Sequence, residues 1–149
     1  MNIKDIPKKY KEFKVVPTHS RSFVATWTAK RLKNGKVRPR FIYLNQYYIK
    51  LSTVSIEDVK AILLHEYTEY INYTQKHLPM IISHGRATKA EKAYIIKHLG
   101  KHAFPQHQKE VIETYRNEAT TDAPFMDLRD TSYTKKSNYK HISKTQGKI

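Results

Sequence analysis

The sequence predicts an α+β domain in which a small antiparallel β-sheet packs on one helix and additional helices follow toward the C-terminus. Residues 23–30 alternate between apolar and polar side chains, which is typical of a strand with one buried face. Residues 55–73 carry apolar side chains at helical spacing, and two further helical patterns cover residues 88–99 and 105–123. A chain of 149 residues is long enough to bury one core.

The domain organisation follows from composition. We expect a basic N-terminal arm over residues 1–18, a folded domain over 19–126 and a basic, flexible C-terminal tail over 127–149. The arm is rich in lysine and carries two prolines, and the tail is polar with no periodicity. Such a tail would become ordered on a partner.

Charge and cysteine content narrow the classes of partner and site. The 28 Lys and Arg residues against 13 Asp and Glu residues give a formal net charge of +15. This charge favours nucleic acid, anionic membrane or acidic protein as partners, but it is spread along the chain and defines no binding face. The chain has no cysteine, which excludes disulfides and thiolate metal sites. Any metal ion must therefore be held by His, Asp or Glu.

The sequence shows no targeting or membrane-spanning segment. Its first residues, MNIKDIPKKYKEFK, lack the apolar core of a signal peptide, and no apolar run approaches 18 residues. We therefore expect no membrane span and a cytoplasmic protein, in the host cytoplasm if the protein is viral or from a phage.

The strand region is predicted to form a hairpin. Asn34-Gly35 suits the positive φ values of a type I′ turn, and residues 37–49 form the return strand followed by a second short strand or turn. Pro39 cannot donate a ladder hydrogen bond, so the return strand should be an edge near its start. The many aromatic residues here favour a packed sheet face, with a base-stacking platform as the alternative.

The helix over residues 55–73 carries the most informative motif. Ser55 is its expected N-cap, and Asp58 is an acidic variant of the capping-box partner. His65 and Glu69 are four residues apart and so project from the same side of the helix, with Glu66 about 100° round from His65. Two ligands at this spacing can hold a metal ion, and a carboxylate beside them can accept a proton from water. The alternative is a helix whose His and Glu side chains are solvated.

The region after this helix supplies further candidates. Pro79 and Gly85 indicate a loop or a broken segment over residues 74–86, followed by the helix that Gly100 ends. His98 and His102 have the spacing of two ligands on one helix, but Gly100 lies between them. They are additional candidate ligands, and the alternative is a pair of solvated histidines.

The last predicted helix begins at Pro105 and ends before Pro124. Its apolar stripe, which includes Tyr115, continues into Glu118 and Asp122. A carboxylate on the packed side of a helix is costly unless it is paired or bound to a cation. Glu118 is therefore either a metal ligand or the partner of one of the many Lys and Arg side chains.

Residues 40–125 resemble a small zincin metallopeptidase of the gluzincin kind. The run FIYLNQYYIKLSTVSIEDVKAILLHEYTEY resembles the strand, connector and HExxH helix of these enzymes. The run NEATTDA, residues 117–123, resembles the E-A-x-x-x-A segment of ImmA/IrrE-like families, whose Glu is the third metal ligand. The resemblance implies a zincin-like fold and metal-dependent hydrolysis of peptide bonds. It makes His65 and Glu118 ligands and Glu66 the general base, with Glu69 in place of the family's second histidine.

This variant HExxE motif changes the expected metal chemistry. One imidazole and two carboxylates form a harder, more anionic site than His₂Glu, so Mn²⁺, Fe²⁺ or Co²⁺ would compete with Zn²⁺. Asp122, His98 or His102 would complete the ligand set, and Tyr67, Tyr70 or Tyr115 would donate to the oxyanion. The partner would be a protein or peptide substrate, with nucleic acid attracted by the basic surface.

The rival interpretation is a non-catalytic basic protein, nucleic-acid-binding or viral. It would be built on the same helices or on a zincin-like scaffold that has lost its chemistry.

Overall fold

The computed structural model describes residues 1–19, 23–118 and 133–134, and for residues 115–118 and 133–134 it describes the backbone alone. A β-sheet packs on one long helix, and two further helices pack beside it. The strands are β1 (Lys9–Tyr10), β2 (Phe13–Thr18), β3 (Ala25–Arg31), β4 (Val37–Asn45) and β5 (Tyr133–Thr134). The helices are α1 (Gln46–Lys50), α2 (Ile56–Tyr70), α3 (Met80–Leu99) and α4 (Ala103–Glu118), with a 3₁₀ turn at Ile3–Asp5 and a π turn at Ile71–Gln75.

The sheet is mixed. Its strand order is β1-β2-β4-β3-β5, and β2 and β4 are parallel whereas the other neighbouring pairs are antiparallel. The coarse α+β class is confirmed, but the expectation of a purely antiparallel sheet is wrong. The reason is that β2, which comes from the first 18 residues, inserts beside β4 with Lys14 opposite Phe41 and Thr18 opposite Asn45.

The first 18 residues, for which we expected an arm, contribute strands β1 and β2 to this sheet. Phe13 and Val15 alternate with exposed Lys14 and are buried in the core, together with Ile6. The N-terminal amine of Met1 also donates a hydrogen bond of 2.7 Å to the carbonyl of Ile49. Most of the predicted tail lies outside the described residues.

The hairpin between β3 and β4 is confirmed, but its turn type is not. Gly35 has φ +84°, whereas Asn34 does not have the positive φ that a type I′ turn requires. The amide of Gly35 donates to the carbonyl of Leu32 at 3.0 Å, and the amide of Leu32 donates to the carbonyl of Lys36 at 2.8 Å. This is a type I turn followed by a glycine bulge.

β4 contains a bulge near its start. Trp27 pairs with Ile42 and Ala29 with Pro39, so one residue of β3 faces two of β4. The bulge shifts the alternation, so that both Val37 and Ile42 face the core. Pairing with β2 begins only at Phe41, which confirms that β4 is an edge around Pro39.

The sheet packs on α2, whose start is as predicted. The Ser55 hydroxyl accepts a hydrogen bond from the Asp58 amide, and the Asp58 carboxylate accepts one from the Ser55 amide, so the capping box is present. Val59, Ile62 and Leu63 are buried against the sheet residues of the core. This packing fixes the direction in which the following turn of α2 presents its His and Glu side chains.

α3 is longer than the sequence indicates. The segment 74–86, for which we expected a loop or a break, becomes helical from Met80 onward. Pro79 stands at the N-cap, where no amide donor is needed, and Gly85 lies within the helix with open space around it. Gly100 ends α3 with φ +89°, as expected. The early start places His84 on the helix that packs beside α2.

α4 begins close to the expected position, and its predicted continuation beyond Glu118 lies outside the described residues. Within the part of the chain that the structure describes, no helix combines the length and apolar character needed to cross a bilayer.

The capping box gives a direct test of how α2 is anchored. Ser55→Ala removes the side-chain acceptor for the Asp58 amide, so we expect the free energy of unfolding to fall by about 1 kcal/mol. Urea denaturation of both proteins measures the difference. Ser52→Ala, an exposed loop position three residues upstream, is the matched control. Equal stability of the two variants would contradict the assigned cap.

Candidate metal centre

Three potential metal ligands from two helices meet beside the sheet. His65 and Glu69 lie on successive turns of α2, and His84 lies on α3. Nδ1 of His84 is 2.9 Å from Oε2 of Glu69, and Nε2 of His65 is 3.7 Å from the same oxygen. One ligand atom from each residue lies within 4.8 Å of the other two. A metal ion can be bound between these atoms.

The Glu69 carboxylate is fixed from the sheet side. Its Oε1 accepts a hydrogen bond of 3.0 Å from the indole Nε1 of Trp27, which is fully buried on β3. Its side chain is 2% exposed. Because Trp27 engages one oxygen, the other oxygen is held toward the two histidines. An outer donor that orients a ligating carboxylate in this way is typical of metal sites.

His65 is fixed from the helix side. Its Nδ1 lies 2.7 Å from Oε1 of Glu91 on α3, which leaves Nε2 facing Glu69. The other oxygen of Glu91 lies 2.6 Å from Nε2 of His107, whose Nδ1 lies 2.8 Å from Oδ1 of Asp58. A continuous chain of hydrogen bonds thus runs from the candidate ligand His65 to Asp58, the capping-box partner of Ser55 in α2.

The charges in this network alternate. Burial lowers the pKa of His65, but its contacts with Glu69 and Glu91 outweigh this and hold the pKa at about 10. Burial likewise lowers the pKa of His107, and its hydrogen bonds to Asp58 and Glu91 raise it to about 9. Burial raises the pKa of Glu91, but its two histidine partners lower it to about 2. A metal ion that binds Nε2 of His65 must displace a proton, so binding tightens as the pH rises.

A second buried cluster adjoins this network and contains Asp58, His107 and Glu110. Glu110 lies on α4 and is 3% exposed, and neither of its carboxylate oxygens has a hydrogen-bond partner of good geometry. Burial raises the pKa of Glu110, and the charge of Asp58 raises it further. Both ring nitrogens of His107 already face carboxylates, so this cluster is better suited to a proton on Glu110 than to a metal ion.

The structure places the residues predicted from sequence as follows. Glu66 is 4% exposed, and its charge contributes to the raised pKa of His65. His98 and His102 are exposed and lie outside both clusters, and the His98 ring packs on Tyr94 with centroids 4.1 Å apart. The side chains of Tyr115 and Glu118, and all of Asp122, lie outside the described residues.

The two tyrosines of α2 that were expected to donate to an oxyanion have other contacts. The Tyr70 hydroxyl donates to the Val37 carbonyl at 3.4 Å. The Tyr67 ring packs edge-on against Tyr10, with ring centroids 6.2 Å apart.

Sequence reasoning missed His84, Glu91 and the role of Trp27. His84 and Glu91 are seven residues apart, which places them on the same side of a helix two turns apart. That spacing was a usable signal, but the predicted break over residues 74–86 removed His84 from the helix. The contact of Trp27 with Glu69 joins residues 42 positions apart and has no local signal.

The donor set that the structure brings together differs from the one expected from sequence. His65, Glu69 and His84 supply two imidazoles and one carboxylate, the set found in several zinc hydrolases. In a tetrahedral zinc site with bonds of about 2.0–2.1 Å the ligand atoms lie about 3.3 Å apart. The distances of 2.9 and 3.7 Å measured from Glu69 Oε2 bracket that value. The His84 side chain is 29% exposed, so the centre opens toward solvent on the α3 side.

Comparison with protein-family models, with curated proteins and with solved structures finds no match to this chain.

Replacement of His84, the candidate ligand on α3, tests whether the three residues bind a metal ion. Loss of a residue that only orients a metal ligand typically weakens metal binding by roughly 10–100-fold. His84 would bind the ion directly, so we expect His84→Ala to weaken Zn²⁺ binding by at least that factor. Competition with a chromophoric chelator measures the affinity. His98→Ala on the same helix should bind as the wild type does. Loss of binding in Glu118→Gln with normal binding in His84→Ala would instead favour the ligand set predicted from sequence.

The buried carboxyl of Glu110 predicts a specific pH dependence of stability. The pKa of Glu110 in the folded protein is raised above the ordinary value of 4.5. Its contribution to the free energy of unfolding is therefore fully present below pH 4.5 and is lost as the pH rises through the folded-state pKa. We therefore expect Glu110→Gln to gain stability relative to wild type between pH 4 and pH 8, measured by urea denaturation. Glu113→Gln, exposed on the same helix, should show no such change. A parallel pH profile for Glu110→Gln and wild type would contradict the prediction.

Proposed function

We propose that this protein is a metal-dependent hydrolase of peptide bonds, with His65, Glu69 and His84 as metal ligands and Glu66 as the general base. The observation that carries the proposal is the convergence of two imidazoles and one carboxylate within 4.8 Å. Two of these ligands are held by further partners, Trp27 on Glu69 and Glu91 on His65. Such support is what keeps a metal site in its working geometry.

The donor set makes zinc the favoured ion. Replacing a carboxylate of the expected set by the imidazole of His84 makes the site richer in nitrogen, which suits Zn²⁺ better than a site of one His and two acids. Mn²⁺, Fe²⁺ and Co²⁺ are the competing ions. The bound ion would polarise the carbonyl of the scissile bond and acidify water.

The residues around the ion have distinct roles in this proposal. Glu69 would be a metal ligand, with one oxygen held by Trp27, and Glu91 orients His65 and balances its charge. Glu66 follows His65 directly on α2 and lies close enough to affect its pKa. It would accept a proton from the attacking water and pass it to the leaving amine. The partly exposed side of His84 is where a substrate would approach.

The choice of peptide bonds rests on the resemblance of residues 40–125 to gluzincins, and the reaction class rests on the donor set. A zincin-like scaffold without activity is the alternative. It would bind a metal ion with the same three ligands and hydrolyse nothing.

Replacement of the general base separates catalysis from metal binding. We expect Glu66→Gln to lower the rate of hydrolysis by about 10²–10⁴-fold, because an amide cannot accept the proton, and to retain the bound metal. The measurement uses a quenched-fluorescence peptide library with zinc-loaded protein, together with elemental analysis.

Glu113→Gln is the control and should behave as the wild type in both measurements. Equal activity of Glu66→Gln and wild type would reject the assigned base. A wild-type protein with one bound zinc ion and no hydrolysis of any library member would support the inactive scaffold.

A further inference from the structure

A groove at one end of the sheet concentrates positive charge. It has a volume of about 510 Å³ and crosses strands β1, β2, β4 and β3. We call it the cationic groove. Its lining residues are Lys9, Lys11, Glu12, Lys14, Lys30, Arg38, Pro39, Arg40 and Phe41.

The charge of the groove is poorly compensated. Six of its side chains are cationic and one, Glu12, is acidic. Lys9, Lys14, Lys30 and Arg38 are exposed, and no carboxylate among the described residues lies within ion-pairing distance of any of them. A cluster of this kind raises the local concentration of anions at its surface.

The strand register places like charges directly opposite each other. Lys9 pairs with Lys14 across β1 and β2, and Lys30 pairs with Arg38 across β3 and β4. Like charges at facing positions destabilise a sheet. The bulge of β4 contributes to this arrangement. In a regular strand Arg38 would share a face with the buried Ile42, but the bulge places Arg38 on the opposite, exposed face. Two facing pairs of cations in one groove are the pattern expected where an anionic ligand supplies the missing charge.

An aromatic ring lies in the same row of side chains. Phe41 is the cross-strand partner of Lys14, and the Arg40 guanidinium lies 5.4 Å from the centre of its ring. Tyr43 stacks on Phe41, with ring centroids 5.6 Å apart and an angle of 28° between the planes. Cations that alternate with a supported aromatic ring are typical of surfaces that bind a nucleic-acid strand with unstacked bases.

We propose that the cationic groove binds single-stranded nucleic acid, with Lys14 and Arg38 contacting phosphates and Phe41 stacking on a base. Single strands fit better than duplexes because the bases of a duplex are stacked on each other and cannot reach Phe41. An acidic peptide would satisfy the cations but would bring no base to stack on Phe41. No groove residue belongs to the candidate metal centre, so this binding does not depend on the proposed hydrolase activity.

Charge reversal at two groove positions tests the proposal without risk to the fold. Lys14→Glu and Arg38→Glu place an acid opposite Lys9 and Lys30, so the double variant should be at least as stable as the wild type. The control is the double variant Lys89→Glu, Lys97→Glu, which makes the same charge change at exposed positions of α3. Thermal unfolding checks the fold, and fluorescence anisotropy with a labelled 20-nucleotide oligo-dT measures binding.

We expect the groove variant to lose at least about tenfold in affinity and to show a shallower dependence on salt, because phosphate contacts and their released counterions are lost. The control should lose less than about threefold. Equal losses in the two variants would overturn the proposal, since general charge would then account for binding.

Phe41→Ala distinguishes a nucleic-acid strand from other polyanions. We expect it to weaken binding of oligo-dT by about tenfold with an unchanged salt slope, because stacking carries no counterions. Binding of a duplex of the same length and of poly-glutamate should not change. Equal weakening for all three ligands, or no weakening for oligo-dT, would overturn the assignment to single strands.

Discussion

The buried carboxylate of Glu69 holds the arrangement of the sheet and two helices together. Taking a carboxylate out of water costs several kcal/mol unless hydrogen bonds and opposite charge replace its hydration. Trp27 from β3 supplies a hydrogen bond to one oxygen, and the imidazoles of His65 and His84 approach the other. Each of these partners is on a different element or turn. Because the carboxylate needs all of them, their relative positions are fixed more tightly than apolar packing alone would fix them.

On its other side, His65 belongs to a second network of buried acids and bases. Asp58, His107, Glu91 and His65 alternate between acid and base, and the hydrogen bonds between them join α2, α3 and α4. The network begins at the capping box of α2, so Asp58, the capping-box partner of Ser55, also contributes to the electrostatics around His65. Glu110 is the exception, since it is buried beside this network without a good partner, and its raised pKa follows from that.

The sequence contained enough information for some of these features and not for others. The motif helix was predictable because Ser55, Asp58 and the apolar spacing all act within one helix. The hairpin was predictable from Asn34-Gly35, although the turn type was not, because φ at Asn34 depends on the strand register. The strand at Phe13–Thr18 was hidden by its lysines, and its parallel pairing is a long-range property. His84 was missed because Pro79 and Gly85 are breakers on average, whereas here one stands at an N-cap and the other in open space.

The central claim is that one divalent ion is held by His65, Glu69 and His84. The most direct test is an anomalous difference map from crystals grown with Zn²⁺ and measured on both sides of the zinc absorption edge. The account predicts one strong peak within about 2.0–2.2 Å of Nε2 of His65, Oε2 of Glu69 and a ring nitrogen of His84. A peak at Asp58 and Glu110, or at His98 and His102, with none at the predicted position would contradict it.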